Sequence, residues 1–235
     1  MSIVRQSIIV ACGLKAEARI AAGRAVVVIA GGGDGPAQEA ALNAAAATGR
    51  ALVSFGIAGG LAPGLRPGAI VVARRVLAPD GRSYQADATW ARTLVGMLGA
   101  APLVDFAGVD MPLAGVAEKA ARYREGGPSV VDMESHIVAR VALAHGLPFA
   151  AIRVVADPAE RQLPPAAKVG MKSDGRVDLP AVLMSLARDP RQLPSLIRTA
   201  LDARAAFAGL LRGRQLLGVH YGIGVDLGDP LLDMA

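Results

Sequence analysis

Short runs of β-branched and aliphatic residues alternate along the chain with Ala-rich stretches whose apolar positions recur at helical spacing. Strands are expected over Ser7–Ala11, Ala25–Ala30, Ala51–Phe55, Ala69–Ala73, Pro102–Ala107, Ser129–Val131 and Phe149–Val154. Helices are expected over Lys15–Ala22, Pro36–Thr48, Ala88–Leu98, Ala114–Arg122, Glu134–His145, Leu179–Ala187 and Leu193–Leu211. Strand and helix taking turns in this way is the mark of an α/β sheet with crossover helices. Asp157–Asp178, rich in Pro, Lys and Gly, reads as one long loop, and loops of that length in compact domains serve as lids or stay mobile. The stretch after Gly213 carries no assignment. No repeat or linker divides the 235 residues, so a single domain over 1–235 is expected.

Composition narrows the class. Hydrophobic residues make up 53%, which argues against disorder. Aromatic residues are only 3%, too few for the stacking platforms that single-stranded nucleic-acid binding uses. The net charge of +5 comes without long basic runs and is weak evidence for a polyanionic partner. A single cysteine, Cys12, excludes an intramolecular disulfide and fits a reducing compartment, so a cytoplasmic location is expected. The apolar Ser7–Ala11 is too short for a signal h-region, and the charge-free run between Arg50 and Arg66 is broken by Gly and Pro, so neither reads as a membrane segment.

The chemistry-bearing residues gather at strand ends, where ligands bind in open α/β sheets. Gly31-Gly32-Gly33-Asp34-Gly35-Pro36 stands between a strand and a helix, where bare backbone amides and a helix N-terminus suit an anion. Gly56-Ile57-Ala58-Gly59-Gly60 follows the next strand. Both also fit plain tight turns. The dinucleotide fingerprint would need such glycines after the first strand, which leads instead into Gly13-Leu14-Lys15-Ala16-Glu17. Val131-Asp132-Met133-Glu134-Ser135 places two carboxylates at a strand-to-helix junction, as catalytic groups or as helix caps. Arg153-Val154-Val155-Ala156-Asp157 puts an arginine inside an apolar strand, where it needs a buried carboxylate, and an acid at the strand mouth. His136, His145 and His220 have no metal-ligand spacing and read as solvent-facing or satisfied, so no metal and no cofactor is expected.

Taken in order, these segments resemble the superfamily of purine nucleoside phosphorylases and methylthioadenosine/S-adenosylhomocysteine nucleosidases. The matching pieces are the segment ending in Glu17, the glycine-rich turn, Ala58-Gly59-Gly60, Met133-Glu134, and Arg153 with Asp157, together spanning roughly residues 7 to 160. Asp-Met-Glu-Ser-His at 132–136 and the Leu-, Pro- and Arg-rich C-terminal region resemble the hopanoid-associated phosphorylase branch, whose members are implicated in releasing adenine from adenosylhopane. The resemblance implies a three-layer α/β/α sandwich around a central mixed, mostly parallel sheet, with residues 158–235 as family-specific loop, helices and tail.

It also implies roles. Asp157 is the general acid at purine N7, Glu17 the base that activates water, and Arg153 the holder of that carboxylate or of phosphate. Glu134 accepts from the ribose hydroxyls and Met133 packs on the sugar. Gly33, Gly35, Ala58, Gly59, Gly60 and Val109 line the substrate, mostly through backbone groups. Phosphate is the co-substrate if the reaction is phosphorolysis. Arg66 and Arg75 are the further candidates to help hold phosphate, against the plainer reading of surface arginines. Ala156 departs from the family, whose nucleosidases commonly have a hydroxyl residue before the catalytic Asp. The partner implied is a small or lipid-linked adenine nucleoside, with a homo-oligomer inherited from relatives. Apolar residues at helical spacing after Leu193, punctuated by Arg191, Arg198, Arg204 and Arg212, fit a helix packed on the sheet or a face that meets anionic membrane. The rivals are a nucleosidase for soluble methylthioadenosine and a non-catalytic nucleoside-binding protein.

Overall fold

A computed structural model describes residues 7–169 and 178–223. The strands are β1 (Ser7–Cys12), β2 (Val26–Ala30), β3 (Gly49–Gly60), β4 (Ile70–Leu77), β5 (Ser83–Gln85), β6 (Leu103–Gly108), β7 (Val130–Asp132) and β8 (Phe149–Asp157). The helices are α1 (Lys15–Ala21), α2 (Gly35–Ala46), α3 (Ala88–Met97), α4 (Val116–Arg124), α5 (Ser135–Ala144), α6 (Pro165–Val169), α7 (Leu179–Arg188) and α8 (Leu193–Leu216).

The sheet is mixed: β1–β2, β1–β3, β3–β8, β4–β6 and β6–β7 run parallel, while β3–β7, β4–β5 and β4–β8 run antiparallel. Because β8 pairs with both β3 and β4, the strands β3, β7, β6, β4 and β8 close on themselves as a ring. Alternation along the strands sorts the apolar side chains into two layers. Ile9, Leu52, Ala151 and Val155 pack with Leu42 of α2 and Val138 of α5. Ile8, Val53, Ile152 and Val154 pack with Trp90 of α3 and Leu210 of α8 on the other face. Helices on both faces complete the three-layer α/β fold that the sequence implies.

Helix starts follow from local chemistry. Asp34 caps α2 by accepting from Ala37 N (3.0 Å), and Asp87 caps α3 by accepting from Trp90 N (2.8 Å). Several expectations need correction. Gly56–Gly60 is no turn, since β3 runs through it to Gly60, held by β7 and β8 on either side. The expected loop from Asp157 contains α6, and the helix expected to end at Leu211 continues to Leu216. The three-residue β5 is too short to announce itself by period. Part of the unassigned stretch is core: Tyr221 is buried, its hydroxyl donates to Ala21 O (2.7 Å), and its carbonyl accepts from Trp90 Nε1 (2.7 Å). Residues 224–235 lie outside the described residues. Among the described residues no helix is long and apolar enough to cross a membrane.

Candidate active site

Alternation decides which way the buried arginine points. Ile152 and Val154 face the α3–α8 layer, so Arg153 between them faces α5. There it meets Ser54, two positions on from Leu52 of the same layer. Arg153 is 0% exposed, and its Nη2 donates to Ser54 Oγ (2.8 Å), Asp132 Oδ1 (3.0 Å) and Glu134 Oε2 (3.3 Å). Asp132 Oδ1 also accepts from Glu134 N (2.9 Å) and Ser135 N (2.6 Å), which fixes the junction between β7 and α5. The helix-cap reading of Asp132 and its role as arginine partner are therefore both present. Arg153 does not hold Glu17 by a hydrogen bond, as the resemblance suggested. Its Nη2 goes to the Asp132–Glu134 pair, and its Nη1 donates to Ile152 O (3.3 Å).

Glu17 sits at the third position of α1 and reaches back to Leu14 N (2.7 Å), as a capping glutamate does. Its other oxygen accepts from Ile57 N (2.8 Å). That amide is available because the β1–β3 pairing ends at Ala11 and Ser54 while β3 continues. Two glycines make room for the carboxylates: a Cβ on Gly56 would stand 2.8 Å from Glu17 Oε1, and one on Gly13 would stand 2.5 Å from Glu134 Oε1. Burial pushes Glu17 above the usual carboxylate range, against the N–H donors of Ile57 and Leu14 and the Arg153 charge. Burial pushes Glu134 up to about 8, with Arg153 opposing and the Asp132 and Glu17 carboxylates adding to the rise.

Asp157 closes β8. Ala58 pairs with Val155 but Gly59 pairs with Asp157, so β8 carries one extra residue, Ala156, in a bulge. Bulges re-aim the residue that follows them. Gly59 lies between Val131 and Asp157, and its missing side chain leaves space beside both: a Cβ there would be 3.2 Å from Val131 Cγ1 and 3.5 Å from either Asp157 carboxylate oxygen. The Asp157 side chain is 16% exposed and forms an ion pair with Lys119 of α4. Burial pushes its carboxyl up, with Lys119 pulling the other way.

Met133 and Glu134 share a cleft of about 340 Å³ with Gly33, Asp34, Gly35, Pro36, Gln38, Asp110 and Ile137. The structure thus brings Gly33 and Gly35 to Met133 and Glu134, and brings Ala58, Gly59 and Gly60 to Asp157 along β3. Val109 contributes a backbone contact, its N–H donating to Asp132 O (3.0 Å). Arg66 is exposed, and Arg75 together with Arg74 is spent on Asp105 (2.9 and 2.8 Å). His136 is not solvent-facing: it is buried, with Nε2 3.4 Å from Asp110 Oδ1. Sequence reading missed Ser54 and Lys119. A serine within an apolar strand is a faint signal, and a lysine on a charged helix is none.

A family model described as "Phosphorylase superfamily" matches residues 11–173. The chain belongs to the phosphorylase superfamily. That makes it an enzyme of the nucleoside phosphorylase or N-glycosyl hydrolase class. Gly13–Glu17, the glycine-rich turn, Ala58-Gly59-Gly60, Met133-Glu134, and Arg153 with Asp157 lie inside the match, and the C-terminal region that suggested the hopanoid branch lies outside it. No curated protein matches its sequence. Among solved structures, the superfamily member resembles futalosine hydrolase of Helicobacter pylori strain 26695, at 14% identity and TM-score 0.60 over 90% of this chain and 97% of that one. It also resembles 5'-methylthioadenosine/S-adenosylhomocysteine nucleosidase from Neisseria meningitidis in complex with methylthio-immucillin-A, at 15% identity and TM-score 0.62 over 89% and 97%. A third is the S-adenosylhomocysteine nucleosidase from Streptococcus pyogenes, at 16% identity and TM-score 0.58 over 86% and 98%. At such identities the likeness is one of fold.

Proposed function

We propose that this phosphorylase-superfamily enzyme releases adenine from an adenine nucleoside whose 5′ side carries an apolar group, with adenosylhopane as the favoured substrate. The observation that supports glycosidic cleavage is that three carboxylates gather along the end of β3: Glu17 on Ile57 N, Glu134 on the arginine paired with Gly56, and Asp157 beside Gly59. Asp157, its proton affinity raised by burial, is suited to give a proton to the departing base. Glu134, backed by Arg153, is suited to take hydrogen bonds from the ribose hydroxyls. Glu17, held by two backbone amides and raised by burial, is suited to take a proton from water. Adenine as the base is supported by the nucleosidases of this fold, one of which carries 5′-methylthioadenosine in its active site.

The lipid-linked substrate is supported by the C-terminal helices. Leu193, Ile197 and Leu201, four residues apart and therefore on one stripe of α8, are all exposed, as are Leu179, Leu183 and Met184 of α7. Arg188, Arg191, Arg198 and Arg204 stand among them. An apolar stripe edged with arginines suits an interface with anionic lipid, where a hopane-bearing nucleoside resides. The arginines count against pairing this face with its own copy. The second half of α8, by contrast, buries Ala206, Gly209, Leu210 and Gly213 against the sheet.

The test is adenine release from adenosylhopane in anionic vesicles and from methylthioadenosine in buffer, each with and without phosphate. Release from the lipid substrate alone supports the proposal. Equal release from methylthioadenosine replaces it with a soluble-nucleoside enzyme. Release from neither brings forward a nucleoside-binding protein, and release undiminished in Asp157→Asn sinks the assignment of the acid.

A further inference from the structure

Lys119 is the only buried residue of α4, and its side chain is 0% exposed. An unpaired lysine in that position would be costly, and this one uses all three of its ammonium protons. Nζ donates to the Asp157 carboxylate at Oδ2, to Pro158 O (3.0 Å) and to Arg161 O (3.1 Å). The three acceptors belong to one turn of chain, so Lys119 holds the acid and the backbone that follows it.

We propose that Lys119 is a positioning residue that stores the proton Asp157 delivers to the leaving base. The reason lies in the count of donors and acceptors. As an ammonium, Lys119 gives one N–H to each oxygen and Asp157 is a carboxylate. If a proton crosses to Oδ2, the amine keeps two N–H groups for Pro158 O and Arg161 O. Its new lone pair then accepts from the Asp157 O–H. Every contact survives the transfer, so the proton moves without any side chain moving.

The proposal rests on the nucleoside-cleaving reading, and the bonds balance within it. The C1′–N bond breaks and its electrons go to the base. Nζ gives its proton to Asp157 Oδ2, and that O–H turns to a ring nitrogen of the base and gives the proton up. The pair is left as amine and carboxylate. After the base departs, a proton from solvent restores the ammonium. Water, or phosphate, supplies the new bond to C1′. Few other charges face the pair. From the chain after β8 come Glu160, which accepts from Gly64 N (3.0 Å), and Arg161, whose guanidinium pairs with Asp202 of α8. Glu118 of α4 turns back to Ala114 N and Gly115 N (3.2 and 3.0 Å), and β3 presents only Gly59 and Gly60 there.

The decisive comparison is Lys119→Arg against Lys119→Met, read as the pH profile of kcat for adenine release from pH 5 to 9. Arginine keeps a charge and several donors but does not give up a proton in a protein. A merely structural lysine is therefore served better by arginine. A proton store predicts the reverse order at low pH. The Arg variant should lose about 10²- to 10³-fold throughout, the scale of a lost general acid. The Met variant should come within about tenfold of wild type at the acid end of the profile, where solvent protonates Asp157, and fall about tenfold per unit as pH rises through the pKa of that carboxyl. An Arg variant as active as wild type, or a Met profile parallel to wild type, overturns the proposal.

A second measurement needs neither turnover nor a folded variant. The ¹³C shift of the Asp157 carboxyl in the wild-type protein should report an ionised group from pH 5 to 8. A carboxyl that stays protonated over that range overturns the proposal. If the wild type releases no base from any nucleoside, the functional reading fails while the carboxyl shift still decides who holds the proton.

Discussion

Gly13 and Glu134 share one small space: a Cβ on Gly13 would lie 2.5 Å from Glu134 Oε1, closer than real contacts allow. The loop after β1 and the carboxylate after β7 are 121 positions apart in sequence (134 − 13), yet neither can change without the other. Gly13→Ala is expected to displace the Glu134 carboxylate from its bond to Arg153, because the added methyl group has the carboxylate as its nearest neighbour. A shift of about 1 Å in a substrate-orienting group costs on the order of 10²-fold in kcat/KM. The melting temperature should fall far less than activity does. A variant with kcat/KM within threefold of wild type would show that Glu134 does not orient the substrate.

Arg153 is buried against Asp132 and Glu134, and truncating it leaves the Asp132 carboxylate, which Arg153 holds ionised, buried without its cation. Arg153→Met is expected to cost about 3–5 kcal/mol of folding stability, the scale for removing one partner of a buried ion pair. Denaturant unfolding checks this. A loss under about 1 kcal/mol would mean that water or a neighbouring donor replaces the guanidinium.

Glu134 gives the protein a pH-dependent stability of definite sign. The unfolded chain releases this proton near 4.5, whereas the folded protein keeps it to about 8. Between those values the native state binds more protons, so this group's contribution is complete below the lower value and is lost as pH rises towards the upper one. The slope is at most about 1.4 kcal/mol per pH unit. The difference between wild type and Glu134→Gln isolates it, because Glu17 and Asp157, also raised by burial, remain in both. Wild type should lose stability relative to the variant from pH 5 to 8. The opposite trend would mean that Arg153 outweighs burial.

Glu17 separates the two nucleophiles. Glu17→Gln should lower phosphate-independent base release by about 10²- to 10⁴-fold, the range for a general base. Phosphorolysis, which needs no base at water, should stay within about tenfold. Equal loss of both would assign Glu17 to holding α1 and β3 in place through Leu14 and Ile57.

Cys12 ends β1 fully buried, and burial pushes its thiol well up, with the Glu17 charge adding to that. A thiol kept protonated and out of solvent is inert. A disulfide exchange reagent should label it only as fast as the protein unfolds. Labelling of the native protein within seconds would reveal an opening of the β1 end.

Much of the fold was legible because apolar period is a local property. All seven expected strands formed, as did all seven expected helices, with ends shifted by a few residues. The larger errors lie where local cues and tertiary partners disagree. Glycines at 56, 59 and 60 punctuate a sequence like a turn, yet β7 and β8 flank them and keep β3 extended. β5 has three residues, too few to show a period, and forms because β4 offers it an edge.

The sequence by itself determined which residue types stand at the strand ends: Glu17, Met133-Glu134, Arg153 and Asp157, with glycines beside them. It also required that Arg153 find a buried carboxylate, since an apolar strand offers it none. Which carboxylate was a matter of tertiary structure. Asp132 and Glu134 won because β7 crosses β3 at Gly59 and puts the start of α5 over Ser54 and Arg153. Lys119 was invisible beforehand for the same reason. Nothing in Glu118-Lys119-Ala120 distinguishes that lysine from a solvated one until α4 brings it to the end of β8. Periodicity and burial are written along one segment, whereas a pairing between charges is a property of two, and only the folded chain sets the distance between them.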